Sequence, residues 1–98
     1  MNIVENIEFN TEKPSVVQLK NSEKIKYFAV ALGKDAVLKK HSTAVPTTVT
    51  VLKGEINIIF SDQEFLLKEF DIFEITVDEI HEVIGIEGEN LFTVTKEL

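Results

Sequence analysis

Two histidines, His41 and His81, are the only side chains in this chain whose ordinary pKa lies near neutral pH. They lie far apart in the sequence, and each is next to a short segment typical of a β-strand. If the two strands curl into one closed barrel, both imidazoles can face its interior. A divalent ion would find nitrogen ligands there, sheltered from bulk water. The histidine pair is therefore the first candidate for a functional site.

Short runs rich in β-branched and aromatic residues, separated by turn residues, predict the elements that carry these histidines. We expect no helix. The segment 62–75 contains helix-compatible residues, but its apolar positions favour strand, turn and strand. The last turn is expected at Gly88–Asn90. The predicted strands are Ser15–Lys20, Ile25–Leu32, Ala36–His41, Thr47–Leu52, Glu55–Phe60, Glu64–Leu67, Asp71–Ile75, His81–Ile86 and Leu91–Thr95.

The length and composition predict one globular domain. A chain of 98 residues has room for a single core, and 44% hydrophobic residues favour a folded chain over a disordered one. No apolar run is long enough to span a membrane, and the polar start at residues 1–6 does not resemble a signal peptide. There is no cysteine, so disulfides and thiolate metal sites are excluded. We expect a cytoplasmic location, with an arm or edge strand at 1–14 and a barrel at 15–98.

The net charge of −7 disfavours binding to nucleic acid or to anionic lipid, because both select clustered cations. All ten basic residues are lysines. Without arginine the chain lacks the planar fork that usually grips phosphate or carboxylate in a bidentate way, so nucleotide and sugar-phosphate chemistry are disfavoured. The only adjacent pair of lysines is Lys39–Lys40, which we interpret as a solvated strand edge.

The order of strands and turns, with one histidine in each half, resembles the cupin superfamily. The first cupin pattern is Gly-x5-His-x-His-x3-4-Glu-x6-Gly. With Gly54 as its last glycine, the first histidine falls on His41 and the second on Thr43. The glutamate position falls on Thr47 and the opening glycine on Asp35. The spacing matches throughout, although only two of these residue types are the expected ones.

The second cupin pattern is Gly-x5-Pro-x-Gly-x2-His-x3-Asn, and we anchor it on His81. Its opening glycine then falls on Phe70 and its second glycine on Asp78. The proline position is Thr76, and the asparagine position is Gly85. Together the two patterns cover about residues 33–88. As a layout of strands and turns the resemblance is more specific than as a match of residue types.

The resemblance implies an all-β, cupin-type jelly-roll β-barrel, the double-stranded β-helix of RmlC-like proteins. It also implies a divalent metal (Fe, Mn, Ni or Zn) bound by His41 and His81. Thr43 and Thr47 occupy the other two ligand positions, where neutral hydroxyls are poor ligands. Glu79 shares strand parity with His81 and could supply a carboxylate, although it is expected in the preceding turn. The alternative is a remnant, with the imidazoles hydrogen-bonded to the threonines and no metal.

Three functions remain open at this stage. The leading one is a small-molecule-binding cupin barrel with a weak or vestigial metal site, acting as a sensor or accessory protein. The second is a metal-dependent cupin enzyme, either a dioxygenase or another oxidoreductase or isomerase; whether the chain is catalytic is left open. The third is a purely structural dimerisation domain. No phosphate loop, nucleophile motif or catalytic residue can be named, and Tyr27 is the only tyrosine.

The strand Ile25–Leu32 is apolar on both faces, which predicts a cover for the face that points away from the barrel. A homodimer would hide such a self-complementary surface. The alternative is that apolar residues near the start of the chain fold over it; these are Ile3, Val4, Ile7 and Phe9.

Overall fold

A computed structural model describes all of residues 1–98. Apart from one short 3-10 turn at Val4–Asn6, every regular element is a β-strand, so the prediction of an all-β chain without helices is confirmed. The structure contains no helix that could span a membrane. The strands are β1 (Ser15–Asn21), β2 (Ile25–Gly33), β3 (Val37–His41), β4 (Thr47–Lys53), β5 (Glu55–Phe60), β6 (Glu64–Lys68), β7 (Ile72–Ile75), β8 (His81–Gly85) and β9 (Glu89–Glu97).

These strands form two antiparallel sheets that face each other. The five-stranded sheet has the order β1-β2-β9-β4-β7, and the four-stranded sheet has the order β3-β8-β5-β6. Apolar residues alternate along the strands, so one face of each sheet points into a shared core. The largest side chains that are fully buried there include Phe92, Leu32, Ile56 and Ile58. The core thus lies between the sheets, as the barrel prediction requires.

The last strand is longer at both ends than predicted, and its extension to Lys96 matters for the site. Gly88 and Asn90 are turn-forming types, yet β9 already begins at Glu89 and continues through Lys96 to Glu97. Asn90 is completely buried within the strand, because its side chain bonds to backbone groups that a turn residue would leave to water.

A bulge in β3 directs His41 toward the interior. Leu38 is paired with Val83 and His41 with His81, and the register shifts between these two pairs. Strict alternation from Leu38 would turn Lys40 inward instead. The extra residue re-aims the strand, as β-bulges next to functional sites commonly do. Because of the bulge, Lys39 and Lys40 remain exposed, in agreement with their interpretation as a solvated strand edge.

The left-handed backbone positions support the alignment with the cupin patterns. Four residues have a positive φ, namely Asp35 (64°), Gly54 (73°), Phe70 (72°) and Asp78 (64°). These are the four glycine positions of the two patterns. A left-handed backbone is ordinarily reserved for glycine, and asparagine or aspartate tolerate it better than bulky residues do. The turns have therefore kept the geometry that glycine provides, although three of the four residues are not glycine.

Asn90 ties together the end of the barrel opposite the histidines. Its Oδ1 accepts hydrogen bonds from the backbone N–H groups of Glu55 and Glu87, each at 3.0 Å. Its Nδ2 donates to the carbonyl oxygens of Leu32 at 3.0 Å and Glu87 at 2.8 Å. One amide thus satisfies backbone groups from β2, from the start of β5 and from the turn before β9. Asn57 differs, because its buried Oδ1 has no hydrogen-bond partner.

Asn90→Leu is expected to lower the free energy of unfolding by about 3 kcal/mol or more, because it leaves several backbone groups without partners. Asn57→Leu is the matched control and is expected to change it by less than about 1 kcal/mol, since no hydrogen bond is lost. Urea denaturation of both variants measures the two values. Equal losses in the two variants would contradict this role of Asn90.

The outer face of the five-stranded sheet is covered by the first residues of the chain. Ala29, Ala31 and Leu91 form a second apolar cluster with Ile7. Ile3 and Phe9 are partly buried against the same cluster, whereas Val4 is exposed. Residues 1–14 contain no strand and form an arm. The outer apolar face of β2 is therefore covered by residues of the same chain. The homodimer stays a prediction, but it is no longer needed to bury this face.

Ile7→Ala should destabilise the protein by about 2 kcal/mol, because Ile7 is only 9% exposed and its loss opens the cluster under the arm. Val4→Ala, at a residue 54% exposed, should change stability by less than about 0.5 kcal/mol. Chemical denaturation compares the two. A loss below about 0.5 kcal/mol for Ile7→Ala would show that the arm is not docked in solution.

Candidate functional site at the mouth of the barrel

The two imidazoles meet inside the barrel, as the sequence predicts. His41 ends β3 and His81 begins β8, and their Cα atoms are register partners on adjacent antiparallel strands. The ring centroids are 4.3 Å apart, with the planes inclined at 58°. His81 is only 4% exposed, whereas His41 is partly buried. Residues distant in sequence are thus brought into direct contact.

Backbone hydrogen bonds determine which nitrogen of each imidazole is left free to contact a ligand. The Nδ1 of His41 lies 2.7 Å from the carbonyl oxygen of Lys39, and that of His81 lies 3.0 Å from the carbonyl oxygen of Glu79. A carbonyl oxygen only accepts, so each Nδ1 carries the proton and donates it. In the neutral ring, Nε2 then offers a lone pair. In its neutral form, each imidazole is therefore an acceptor toward a ligand.

The two threonines reach the same place, one from a loop and the other from the start of a strand. Thr47 begins β4 as expected, whereas Thr43 lies in the loop after β3 and not on the strand of His41. The backbone N–H of Asp78 donates to the carbonyl oxygen of Thr43 at 2.8 Å and holds this loop. Because β3 ends at His41, strand parity alone could not have placed Thr43.

The two threonine hydroxyls and the carbonyl oxygen of Val45 lie within hydrogen-bond distance of one another, and the two hydroxyl protons are shared among the three contacts. The two Oγ1 atoms are 3.1 Å apart, and the carbonyl oxygen of Val45 lies 3.0 Å from Oγ1 of Thr47 and 3.3 Å from Oγ1 of Thr43. The expectation that a remnant site would bond the imidazoles to the threonines is wrong, since the rings bond to backbone carbonyls instead. The hydroxyl protons are satisfied locally, and the imidazole Nε2 atoms remain open.

All four side chains line one small cavity of about 50 Å³. A water molecule occupies about 30 Å³ in the liquid, so the cavity admits one or two groups of that size. Most of its remaining wall is apolar, with Phe28, Val49 and Phe92 among the lining residues. An enclosed apolar wall strengthens the few polar interactions made inside it. The cavity is therefore a small, directional polar site.

Lys96 also lines this cavity, and sequence reasoning missed it. Phe92 and Val94 on β9 point into the core, so the next inward position on the same strand is Lys96. Its register partner is Thr47 on β4. The alternation of inward and outward residues along the strand indicates that Lys96 points inward, but the predicted strand ended at Thr95, one residue before Lys96. The only salt bridge in the structure joins Lys53 and Glu89, so no carboxylate pairs with Lys96.

The surroundings of His81 favour its neutral form. Burial is the largest cause and lowers the pKa of His81, while the hydrogen bond to the Glu79 carbonyl partly opposes this effect. The neighbouring charges of His41 and Lys96 lower the pKa of His81 further. The Glu79 carboxylate raises it only weakly, because this side chain is exposed in the turn. The site is thus biased against additional positive charge.

These residues do not fit a resident divalent metal. No group of three or more His, Cys, Asp or Glu side chains is placed to hold an ion. The donors present are two imidazoles and two hydroxyls, and a stable site needs at least three good protein ligands. Glu79, the one carboxylate considered, does not line the cavity. The Lys96 ammonium adds repulsion where a carboxylate would balance the ion's charge.

Two facing antiparallel sheets with this strand order make the chain a cupin-type jelly-roll barrel, and comparison with solved structures shows the same fold. A cupin superfamily protein from Desulfitobacterium hafniense DCB-2 superposes with a TM-score of 0.86 at 18% identity, over 100% of this chain and 89% of that one. An RmlC-like cupin protein from Desulfovibrio desulfuricans gives 0.85 at 18% identity, over 99% and 93%. KdgF from Halomonas sp. gives 0.80 at 12% identity, over 100% and 93%.

At these identities the likeness concerns the fold alone. No family model and no curated protein matches the sequence. The predicted cupin-type jelly-roll fold is thus confirmed.

The lowered pKa of His81 predicts how stability depends on pH. In the unfolded chain, His81 binds a proton with the ordinary pKa of 6.5. In the native protein, the pKa of His81 is lower, so the ring stays neutral to a lower pH. Stability is therefore fully present above that pKa, falls as the pH drops through 6.5, and levels off below the native pKa. His81→Gln should remove this slope between about pH 7.5 and 5.5 in urea denaturation.

His41→Gln is the control for the pH dependence. It should keep most of the slope, because burial of His81 and not its neighbour is the largest cause of the shift. Identical slopes in the native protein and His81→Gln would contradict the assignment.

Proposed function

We propose that this protein is a small-molecule-binding cupin barrel whose metal site is weak or vestigial, and that it acts as a sensor or accessory protein. The observation that carries the proposal is the convergence of His41, His81, Thr43 and Thr47 on one cavity that no carboxylate lines. A metal enzyme of this fold needs ligands that the cavity lacks, whereas a binding site needs only directional polar groups in an apolar wall.

The arrangement favours a ligand that carries a hydrogen-bond donor at its inner end. The Nδ1–H of each imidazole is already bonded to a backbone carbonyl, so Nε2 is the nitrogen that offers a lone pair when the ring is neutral. A hydroxyl or N–H group of a ligand matches these acceptors and the small size of the cavity. The wall supplied by Leu38, Val83 and Val94 is apolar. The site is therefore suited to recognition.

The enzyme alternative has less support from the residues. A dioxygenase or other metal-dependent cupin enzyme would require further ligands near His41 and His81, and none is placed there. For acid–base isomerase chemistry the only tyrosine is Tyr27, which shares the face of Ala29 on the outer side of β2. Tyr27 does not line the cavity.

Assembly and location are separate proposals. A homodimer remains compatible with the structure, although the face that suggested it is covered by the arm around Ile7. A purely structural dimerisation role would leave the polar cavity without use. The absence of cysteine is compatible with the reducing cytoplasm that we propose as the location.

Metal addition tests the choice between binding barrel and metal enzyme. A ligand that binds only the folded form must raise the melting temperature. We expect Fe²⁺, Mn²⁺, Ni²⁺ and Zn²⁺ at about 100 μM to shift it by less than about 1 °C. Metal analysis of the purified protein should give well under one ion per chain. Stoichiometric metal that His81→Ala removes would contradict the proposal and favour the enzyme.

The binding proposal itself can be tested by NMR, because only two imidazoles contribute side-chain signals. The probe is a mixture of small alcohols, amides and carboxylic acids. At least one compound should shift the imidazole signals of both histidines, and Thr47→Val should leave the protein folded while altering that response. If no compound moves either imidazole signal, the small-molecule function fails.

A further inference from the structure

We propose that an open groove beside the cavity binds a small organic carboxylate with an apolar body, and that Lys26 and Lys96 hold its carboxylate group. The inference rests on the proposed small-molecule function, and it deepens that function by naming the ligand class and the residues that select it.

The groove lies on the inner face of the five-stranded sheet, at β1, β2 and β9. Its volume is about 450 Å³, within the size range of small-molecule sites. One side is formed by the loop from Ser42 to Val45, which follows β3. Phe28, Thr43 and Lys96 line both the groove and the small cavity. A ligand in the groove would therefore adjoin the imidazole site.

The two lysines are side by side. Lys26 on β2 and Lys96 on β9 are register partners, and directly opposite residues of an antiparallel pair point to the same face. Two like charges in this position repel each other. The pairing was invisible in the sequence, where Lys39–Lys40 was the only cluster, because antiparallel register brings together residues from both ends of the chain.

No carboxylate lies within salt-bridge distance of the ammonium group of either lysine. Neither lysine takes part in the only salt bridge, and no aspartate or glutamate lines the groove. This is unusual for a chain with a net charge of −7, in which acidic residues are abundant. A bound anion would relieve the repulsion between the lysines and supply the missing partner.

The other lining residues indicate what the anion is attached to. Val16, Phe28 and Val45 provide an apolar surface next to the ammonium groups. A ligand with both a carboxylate and an apolar body matches this combination. Lysine ammonium groups act as point charges and do not by themselves distinguish carboxylate from phosphate. A carboxylate carries one charge and a phosphate monoester nearly two, so the carboxylate costs less to bring against the apolar surface. The groove therefore points to an amphipathic carboxylic acid.

Calorimetric titration with benzoate and its neutral analogue benzamide tests the inference. Benzoate should bind at least about tenfold more tightly than benzamide, and added salt should weaken it. Lys96→Met should abolish this preference, whereas Lys96→Arg should retain it. Lys26→Met, at an exposed residue, provides a second variant if Lys96→Met does not fold. The control is Lys39→Met, which removes the same charge from an exposed position outside the groove and should leave the preference unchanged.

The possible failures are distinguishable. If benzamide binds as tightly as benzoate, the anion inference is overturned and the small-molecule function stands. If inorganic phosphate binds as tightly as benzoate, or if Lys39→Met weakens benzoate as much as Lys96→Met does, general attraction of anions replaces the proposed site. If benzoate does not bind at all, the inference is also overturned, and the imidazole signals alone decide whether the barrel binds other compounds.

Discussion

The positive charge of Lys96 on the inner wall of the barrel is the constraint on which the site's chemistry depends. Its ammonium group has no carboxylate partner in the protein, and two imidazoles line the same cavity. A divalent cation would add charge where charge is already unbalanced, whereas an anion would remove the imbalance. The same surroundings keep His81 neutral and leave its Nε2 free as an acceptor. The donor set and the charge of the site thus disfavour a resident divalent cation.

The strands position this charge through simple rules. Lys96 faces inward because it continues the alternation of Phe92 and Val94 on β9. His41 faces inward because a bulge adds one residue after Leu38. At the other end of β9, Asn90 bonds the backbone of neighbouring segments and closes the barrel. The mouth carries the unpaired charge of Lys96, and the opposite end carries an amide that makes four hydrogen bonds.

Much of the fold could be predicted from the sequence, because alternating patterns and turn residues act locally. The nine strands were predicted with small errors at their ends, and the glycine positions of the cupin patterns were recovered even where Phe70 or Asp78 stands. The convergence of His41 and His81 followed from the resemblance. What local patterns could not give is anything set by register between distant strands. The pairing of Lys26 with Lys96 depends on how β2 and β9 align.

Two other misses have equally specific causes. Asn90 has the composition of a turn residue, and only its four backbone partners explain why it is buried in a strand. The cover over Ala29 and Ala31 was assigned first to a second chain, because the sequence cannot say whether the arm around Ile7 is long enough and correctly directed to reach them. Both depend on three-dimensional placement and not on residue type.

The central claim is that the charge at position 96 decides which sign of ion the mouth accepts. The most direct measurement is Zn²⁺ affinity, read from the imidazole NMR signals, in the native protein, Lys96→Met and Lys96→Glu. The account predicts that affinity rises stepwise as this charge changes from positive to neutral to negative. Equal affinity in all three proteins, or the tightest binding in the native one, would contradict it.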